Sequence, residues 1–364
     1  MHITTNRETL LERLELAGRV STKHITLPVL QCVLLEASSA TLYVRATNLE
    51  IGIESSLDAK VEEEGSIAVP ASVLLQTIQY MSVKEITLRS EEQVLVVEGD
   101  GSQTNIKTIP HEEFPHIPQI TGKGQAINRE LFALGIKTAA FAASVSSIKP
   151  ELGSIHILQK KEHALTFVAT DSFRLMEKTV SQKGFILNDP LLIPYKNALE
   201  IARICEMQTG DAELRLTENQ CALSFTSGVY VTSRLTAGSF PDYEQIIPKE
   251  YVTHVTLLKG DLESAFKKTN VFLNKFLQVS LYMTERSMTV SANNGEVGTT
   301  TESIKAQKTG DDLTLNFNQR YLQESLSHIP DESITLHFAG IGRPLVIEGV
   351  NDRTLRYLVM PMNK

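Results

Sequence analysis

The stretch Leu165-Thr-Phe-Val-Ala-Thr-Asp-Ser-Phe173 decides how the chain reads, because two relatives of it stand elsewhere in the same sequence. Leu42-Tyr-Val-Arg-Ala-Thr-Asn-Leu-Glu50 comes before it and Met288-Thr-Val-Ser-Ala-Asn-Asn-Gly-Glu296 after it. Each is a strand, a small polar turn and the start of a second strand. Their alanines, Ala46, Ala169 and Ala292, are spaced 123 residues apart both times. A period of this length exceeds that of any solenoid and points to a whole domain repeated in tandem.

Three further features recur in the same order. Ile67 to Leu75, Leu191 to Leu199 and Thr314 to Leu322 each run from a short apolar strand into an amphipathic helix. Paired alternating strands are expected at 85–99, 212–226 and 333–348. A helix opens each unit, near 6–20, 128–144 and 259–274; in the first, Leu10, Leu11, Leu14 and Ala17 form one apolar face. The remaining helices are expected at 71–84, 195–207 and 318–329. Strands dominate and alternate with period two, so each unit is α+β, with two helices packed on antiparallel sheets. Pro-rich connectors near 115–126 and 245–256 set the boundaries, giving domains at 1–120, 126–245 and 250–364.

Composition narrows the class. Of 364 residues, 42% are hydrophobic and 21% charged, which fits folded domains and excludes disorder. No apolar run approaches the ~18 residues that span a bilayer. Charge begins at Arg7 with no apolar stretch before it, so no signal peptide is expected. Cys32, Cys205 and Cys221 are few, odd in number and at no motif spacing, which suits a reducing cytoplasm.

Nothing in the sequence forms a catalytic motif. Walker A, H-E-x-x-H, G-x-S-x-G and paired C-x-x-C patterns are absent. Gly340-Ile-Gly342-Arg-Pro344 reads as a hairpin tip rather than a dinucleotide loop. His111 and His116 share a loop with no Cys or third His nearby, so neither metal nor other cofactor is expected. Asp171 is the acid that invites a catalytic role, but the other repeats carry Asn48 and Asn294 there. Asn cannot titrate, whereas both residue types bond the backbone of a tight turn. A turn role explains all three positions.

Charge is unevenly spread. The net charge of −8 argues against general coating of nucleic acid, yet the six expected helices carry a net +3 and the remainder −11. A mildly basic helix layer would attract phosphate without reading sequence. Arg7, Arg13, Arg19, Lys23, Lys137, Lys196, Arg203, Lys267 and Lys268 are the candidates.

Three tandem domains, Ala169-Thr-Asp-Ser-Phe-Arg-Leu175, Phe240-Pro-Asp-Tyr243 with Ile246-Ile-Pro248, and the closing Tyr357-Leu-Val-Met-Pro-Met362 resemble the bacterial DNA polymerase III beta subunit, the sliding clamps. The resemblance covers the whole chain. It implies a non-catalytic processivity factor in which three DNA-clamp domains form half of a closed ring. It also implies a head-to-tail homodimer around double-stranded DNA, in the cytoplasm and on the nucleoid, with no membrane contact.

The resemblance further implies a hydrophobic cleft for a short peptide of the DNA polymerase III alpha subunit, the clamp loader and other proteins with a clamp-binding motif. By motif the cleft falls on Leu152, Thr170, Arg174, Leu175, Pro241, Ile246, Asn318, Tyr321, Pro344, Leu358, Met360, Pro361 and Met362. Thioethers and branched aliphatics suit a groove that serves several partners. His24 and Lys149 join the DNA-facing set. The chain departs from residues frequent in the family at Ser172-Phe173, Lys149, Asn363 and His24. Two other functions are weighed on the residues. A metal-dependent nucleic-acid enzyme would need a cluster of acids beside Asp171; a scaffold binding only proteins would show no topological hold on DNA.

Overall fold

The computed structural model describes residues 1–21, 26–99, 101–146 and 148–362. The chain divides into two compact units, Met1–Ala133 with Lys196–Leu235, and Leu134–Tyr195 with Thr236–Lys364. The middle third of the sequence supplies segments to both. The reason lies in the sheets, which run through strands from successive repeats.

In the first unit the sheet order is Ser102–Lys107, Val94–Gly99, Glu85–Glu91, His2–Asn6, Ile51–Glu63, Val229–Arg234, Gln220–Phe225, Ala212–Leu216 and Gln125–Ile127. Cys32–Ser38, Thr41–Thr47 and Gly65–Pro70 branch from it. The strand Ile51–Glu63 is shared: Ile51 to Ser55 pairs antiparallel with Val229 to Ser233, while Ala59 to Glu63 pairs with His2 to Thr5.

The second unit has the order Leu191–Pro194, Ser154–Lys161, Ala164–Thr170, Arg174–Ser181, Leu355–Val359, Leu345–Gly349, Ser333–Phe338, Thr253–Leu258, Gly298–Gly310, Ser287–Asn294, Gln278–Met283 and Thr314–Asn318. Here Arg174 to Lys178 pairs antiparallel with Leu355 to Val359.

Among the described residues six α-helices accompany the sheets: α1 (Arg7–Val20), α2 (Ala71–Gln79), α3 (Arg129–Ala140), α4 (Tyr195–Met207), α5 (Lys259–Thr269) and α6 (Gln319–Leu326). Asn6 caps α1 by accepting from the Thr9 N–H at 3.1 Å, and Asn128 accepts from Leu131 N–H at 2.9 Å in the equivalent place on α3. The buried face of α1 is Leu10, Leu14, Leu16, Ala17 and Val20; Leu11, expected on that face, is only half-buried. In α3, Gly135 is required by packing, since a Cβ there would lie 2.4 Å from the Phe167 ring.

Several helices end before the sequence pattern suggests. The guanidinium of Arg7 donates to the carbonyls of Ile78 (3.1 Å) and Gln79 (2.7 Å), closing α2 ahead of Lys84. After α3 the chain tightens, with Ala142 and Ala143 bonding to the carbonyls of Ala139 and Ala140, and Ser144 N–H turns to Leu152 O. The end of α5 narrows into a 3₁₀ turn, Asn270–Phe272. With these boundaries the helices hold eleven basic and nine acidic residues, so their excess positive charge is small.

Candidate functional site

The repeated turn is the same device three times. Asn48 Oδ1 accepts from Glu50 N–H (3.0 Å) and Ile51 N–H (2.9 Å). Asp171 Oδ1 accepts from Phe173 N–H (3.0 Å) and Arg174 N–H (3.1 Å), and Asn294 Oδ1 from Glu296 N–H (3.0 Å). Asp171 therefore holds a turn, and its second oxygen takes the Arg174 Nε at 3.0 Å. Leu49 and Ser172 follow the turn acid or amide with φ of 76° and 78°, a left-handed conformation that bulky residues rarely adopt.

Antiparallel pairing sets Leu175 opposite Leu358. Both are buried, in a cluster with Val168, Tyr243 and Val346. Met360, Ile247, Phe240, Leu158 and Tyr251 pack onto that cluster while staying partly exposed. Leu175 and Leu358 thus lie beneath the surface as a floor. Above them a groove of about 570 Å³ is lined by Gln245 to Glu250, Arg343, Pro344 and Met360. Of the residues carried over by motif, Ile246, Pro344 and Met360 line it directly, and Ile246 is 47% exposed. Gln245, Ile247, Pro248, Lys249, Glu250 and Arg343 are missing from the cleft set carried over by motif, although Ile247 and Pro248 stand in the Ile246-Ile-Pro248 motif itself. Most follow Phe240-Pro-Asp-Tyr243 immediately, so extending that motif by a few residues would have found them.

Pro241 lines a different cavity, of about 390 Å³, with His156 and Phe240. Leu152 is buried, its carbonyl held by Ser144 N–H. Thr170 Oγ1 donates to Arg174 O at 2.6 Å within the turn.

Arg174 is a buried hub rather than a surface contact. Its guanidinium bonds Asp171 and Glu324, lies 4.6 Å from the Tyr321 ring centroid and 5.4 Å from that of Phe141. Burial disfavours its charge, but the Glu324 hydrogen bond and the surrounding negative charge outweigh this, and its pKa is raised. Asn318 caps α6, accepting from Arg320 N–H at 3.0 Å.

The C-terminal segment is tied on both sides. Met360 N–H donates to Phe173 O (2.8 Å) and Met362 N–H to Asn316 O (2.8 Å). Pro361, between them, has no N–H to give. Asn363 lies outside the described residues.

The candidate DNA-facing residues differ in availability. Arg7 is engaged by α2, and Arg13 donates to Ser227 O at 3.0 Å. Arg203 pairs with Glu200, and Lys268 with Glu302 at 2.7 Å. Arg19, Lys137, Lys149, Lys196 and Lys267 are exposed. Lys23 and His24 lie outside the described residues.

The cysteines carry no chemistry. All three are buried, and burial pushes their thiols up, to about 11 at Cys32 and about 12 at Cys205 and Cys221. Among the described residues no group of three His, Cys, Asp or Glu is placed to hold a metal ion, and no helix is long and apolar enough to cross a membrane.

A chain of three successive helix-and-antiparallel-sheet repeats, whose strands join into common sheets, is of the DNA-clamp class. The chain matches the DNA polymerase III beta subunit N-terminal domain over residues 1–118, the central domain over 126–242 and the C-terminal domain over 244–363. The chain belongs to the DNA polymerase III beta subunit family. It is 28% identical to the beta sliding clamp of Pseudomonas aeruginosa and 27% identical to that of Synechococcus elongatus, covering all of this chain and 99–100% of theirs. The crystal structure of the Pseudomonas aeruginosa beta subunit superposes with a TM-score of 0.94 at 27% identity over the whole of both chains. A Thermotoga maritima beta subunit shares the fold at TM-score 0.94 and 23% identity, covering all of this chain and 99% of that one. The function that goes with the family is that of a non-catalytic processivity factor for DNA polymerase III.

Proposed function

We propose that two copies of the chain join head to tail into a ring that encircles double-stranded DNA, slides on it and tethers the replicative polymerase. The observation that supports this is a pair of open strand edges. Each repeat's central strand can take a strand on its free edge. In the first repeat Ile51 to Ser55 takes Val229 to Ser233, and in the second Arg174 to Lys178 takes Leu355 to Val359. The third, Gly298–Gly310, has its first five residues paired on one edge only, and Ser102–Lys107 is likewise paired only with Val94–Gly99, both among the described residues. Open edges of this kind are normally covered. A second copy offers each edge the strand it lacks, and a heterologous contact that closes leaves none over.

The repeat gives the register. Ile53 faces Val231 and Met176 faces Tyr357. In the three hairpins Ala46 faces Ile53, Ala169 faces Met176 and Ala292 faces Thr300, so the same register puts Thr300 opposite Thr104 of the second copy. Exposed apolar side chains near these edges, Val73 and Tyr80 in one unit and Val271, Phe276 and Val297 in the other, would be covered too.

The ring reading carries the three domains at 1–120, 126–245 and 250–364, with the helices facing DNA and Arg19, Lys137, Lys149, Lys196 and Lys267 as exposed cations. Their modest excess charge suits hold by topology rather than tight direct binding. The groove at Ile246, Pro344 and Met360 takes the short peptide of the polymerase alpha subunit, the clamp loader and other clamp-binding proteins. One relative, a Pseudomonas aeruginosa sliding clamp, was crystallised bound to griselimycin.

The test joins the two edges covalently. A Thr104→Cys, Thr300→Cys double variant should oxidise to a species of twice the chain's 40.3 kDa, each single variant staying monomeric on a denaturing gel. The native thiols are buried and do not compete. Loaded onto a nicked circle, the oxidised protein should remain until the DNA is cut. Equal retention on linear and circular DNA would sink the ring.

A further inference from the structure

We propose that the cavity between strand Ser154–Lys161 and the loop at Gly238 to Glu244 is a second docking site, which takes a short peptide segment bearing an aliphatic side chain beside a basic one. It lies wholly within the second unit and has a volume of about 390 Å³, within the range of small-ligand pockets. Leu158, Leu192, Pro190 and Pro241 make its apolar wall. It shares no residue with the groove at Ile246 and Met360. The 3₁₀ turn Tyr243–Ile246 divides them, its first two residues lining one and its last two the other.

Two observations point to the ligand. His156 lines the cavity at 9% exposure, stacked on Phe240 with centroids 4.6 Å apart and planes 5° from parallel. Its Nδ1 is buried with no hydrogen-bond partner among the described residues, an unusual state for a buried polar atom. Burial, with help from Lys160, lowers its pKa to about 4, so at neutral pH the ring is uncharged and can accept from a donor N–H.

The second observation is the charge around the rim. Asp242, Glu244 and the neighbouring Glu177 are three carboxylates, answered by one ammonium, Lys160, which bonds Glu177 at 2.6 Å and Glu244 at 2.8 Å. Arg356, 3.9 Å from Glu177, is itself bonded to Glu348 at 2.9 Å. Among the described residues Asp242 accepts only a neutral amide, from Gln245 at 2.7 Å. The rim therefore favours a lysine or arginine next to the buried anchor and disfavours an acid. The proposal does not rest on the peptide groove: of the residues carried over by motif it uses only Pro241, which lines this cavity and not the groove at Ile246 and Met360.

The experiment is methyl NMR on the full-length protein, labelled at leucine and isoleucine methyl groups and titrated with acetyl-Leu-Arg-amide and acetyl-Leu-Glu-amide at low salt. Saturable shifts of Leu158 and Leu192 are expected with the first peptide, with binding of the second weaker by about fivefold or more. The Asp242→Asn, Glu244→Gln double variant should bring the first peptide down to the level of the second. Shifts at Ile246 without shifts at Leu158 and Leu192 would assign the binding to the other groove and overturn the proposal. Equal binding of the two peptides to the unmodified protein, or none, would do the same, and this comparison decides even if the variant misfolds.

Discussion

Acid should weaken the second unit through His156, by an amount the structure sets. The unfolded imidazole titrates near about 6.5. In the folded chain burial and Lys160 hold it at about 4. Between these values the unfolded chain binds a proton that the native chain does not, so stability falls as pH falls. At about pH 4.5 the loss from this one group is about 2.5 kcal/mol relative to neutral pH, at about 1.4 kcal/mol per unit. His328 and His337 are also lowered, chiefly by burial, and push in the same direction. The contribution of His156 is isolated by His156→Phe, which keeps a flat ring against Phe240 and removes the proton site. Urea unfolding followed by circular dichroism, for both proteins at neutral pH and at about pH 4.5, should show the variant losing about 2.5 kcal/mol less than the parent. Equal losses would refute the reasoning, as would a His156 proton resonance titrating near the ordinary histidine value.

Glu324 offers an internal comparison, since it pairs with buried Arg174, whose side chain is 9% exposed, and with Arg320, whose side chain is 68% exposed. Arg174→Met should cost about 3 kcal/mol by leaving Asp171 without its buried partner, whereas Arg320→Met should cost under about 1 kcal/mol, both read from urea midpoints. Deleting residues 360–364 should abolish binding of a labelled clamp-binding peptide in fluorescence anisotropy while sedimentation still shows a dimer. The same deletion should lower stability by about 2 kcal/mol, because Met360 packs on the Leu175 and Leu358 cluster and the segment's two backbone hydrogen bonds are lost. Unchanged peptide affinity would show that the groove does not take the peptide.

What the sequence by itself determined is what short-range chemistry controls. The turns at Asn48, Asp171 and Asn294 are made by side chains bonding N–H groups two or three residues on, so the residue type and its neighbours suffice. The helices and alternating strands follow from periodicities within a few turns or pleats, and their recurrence at a 123-residue spacing gave the three-domain reading. What only the tertiary structure decided depends on partners distant in the chain. Leu175 and Leu358 carry the motif but lie under the groove, because strands some 180 residues apart place them face to face in a core. Arg7 and Arg13 count as free cations in a charge tally, yet carbonyls 71 and 214 residues away hold them. Helix α2 stops before Lys84 for the same reason, since the group that closes it comes from α1. A local pattern fixes which backbone conformations are available; which side chains remain at the surface is settled only when remote strands pair and bury their inner faces.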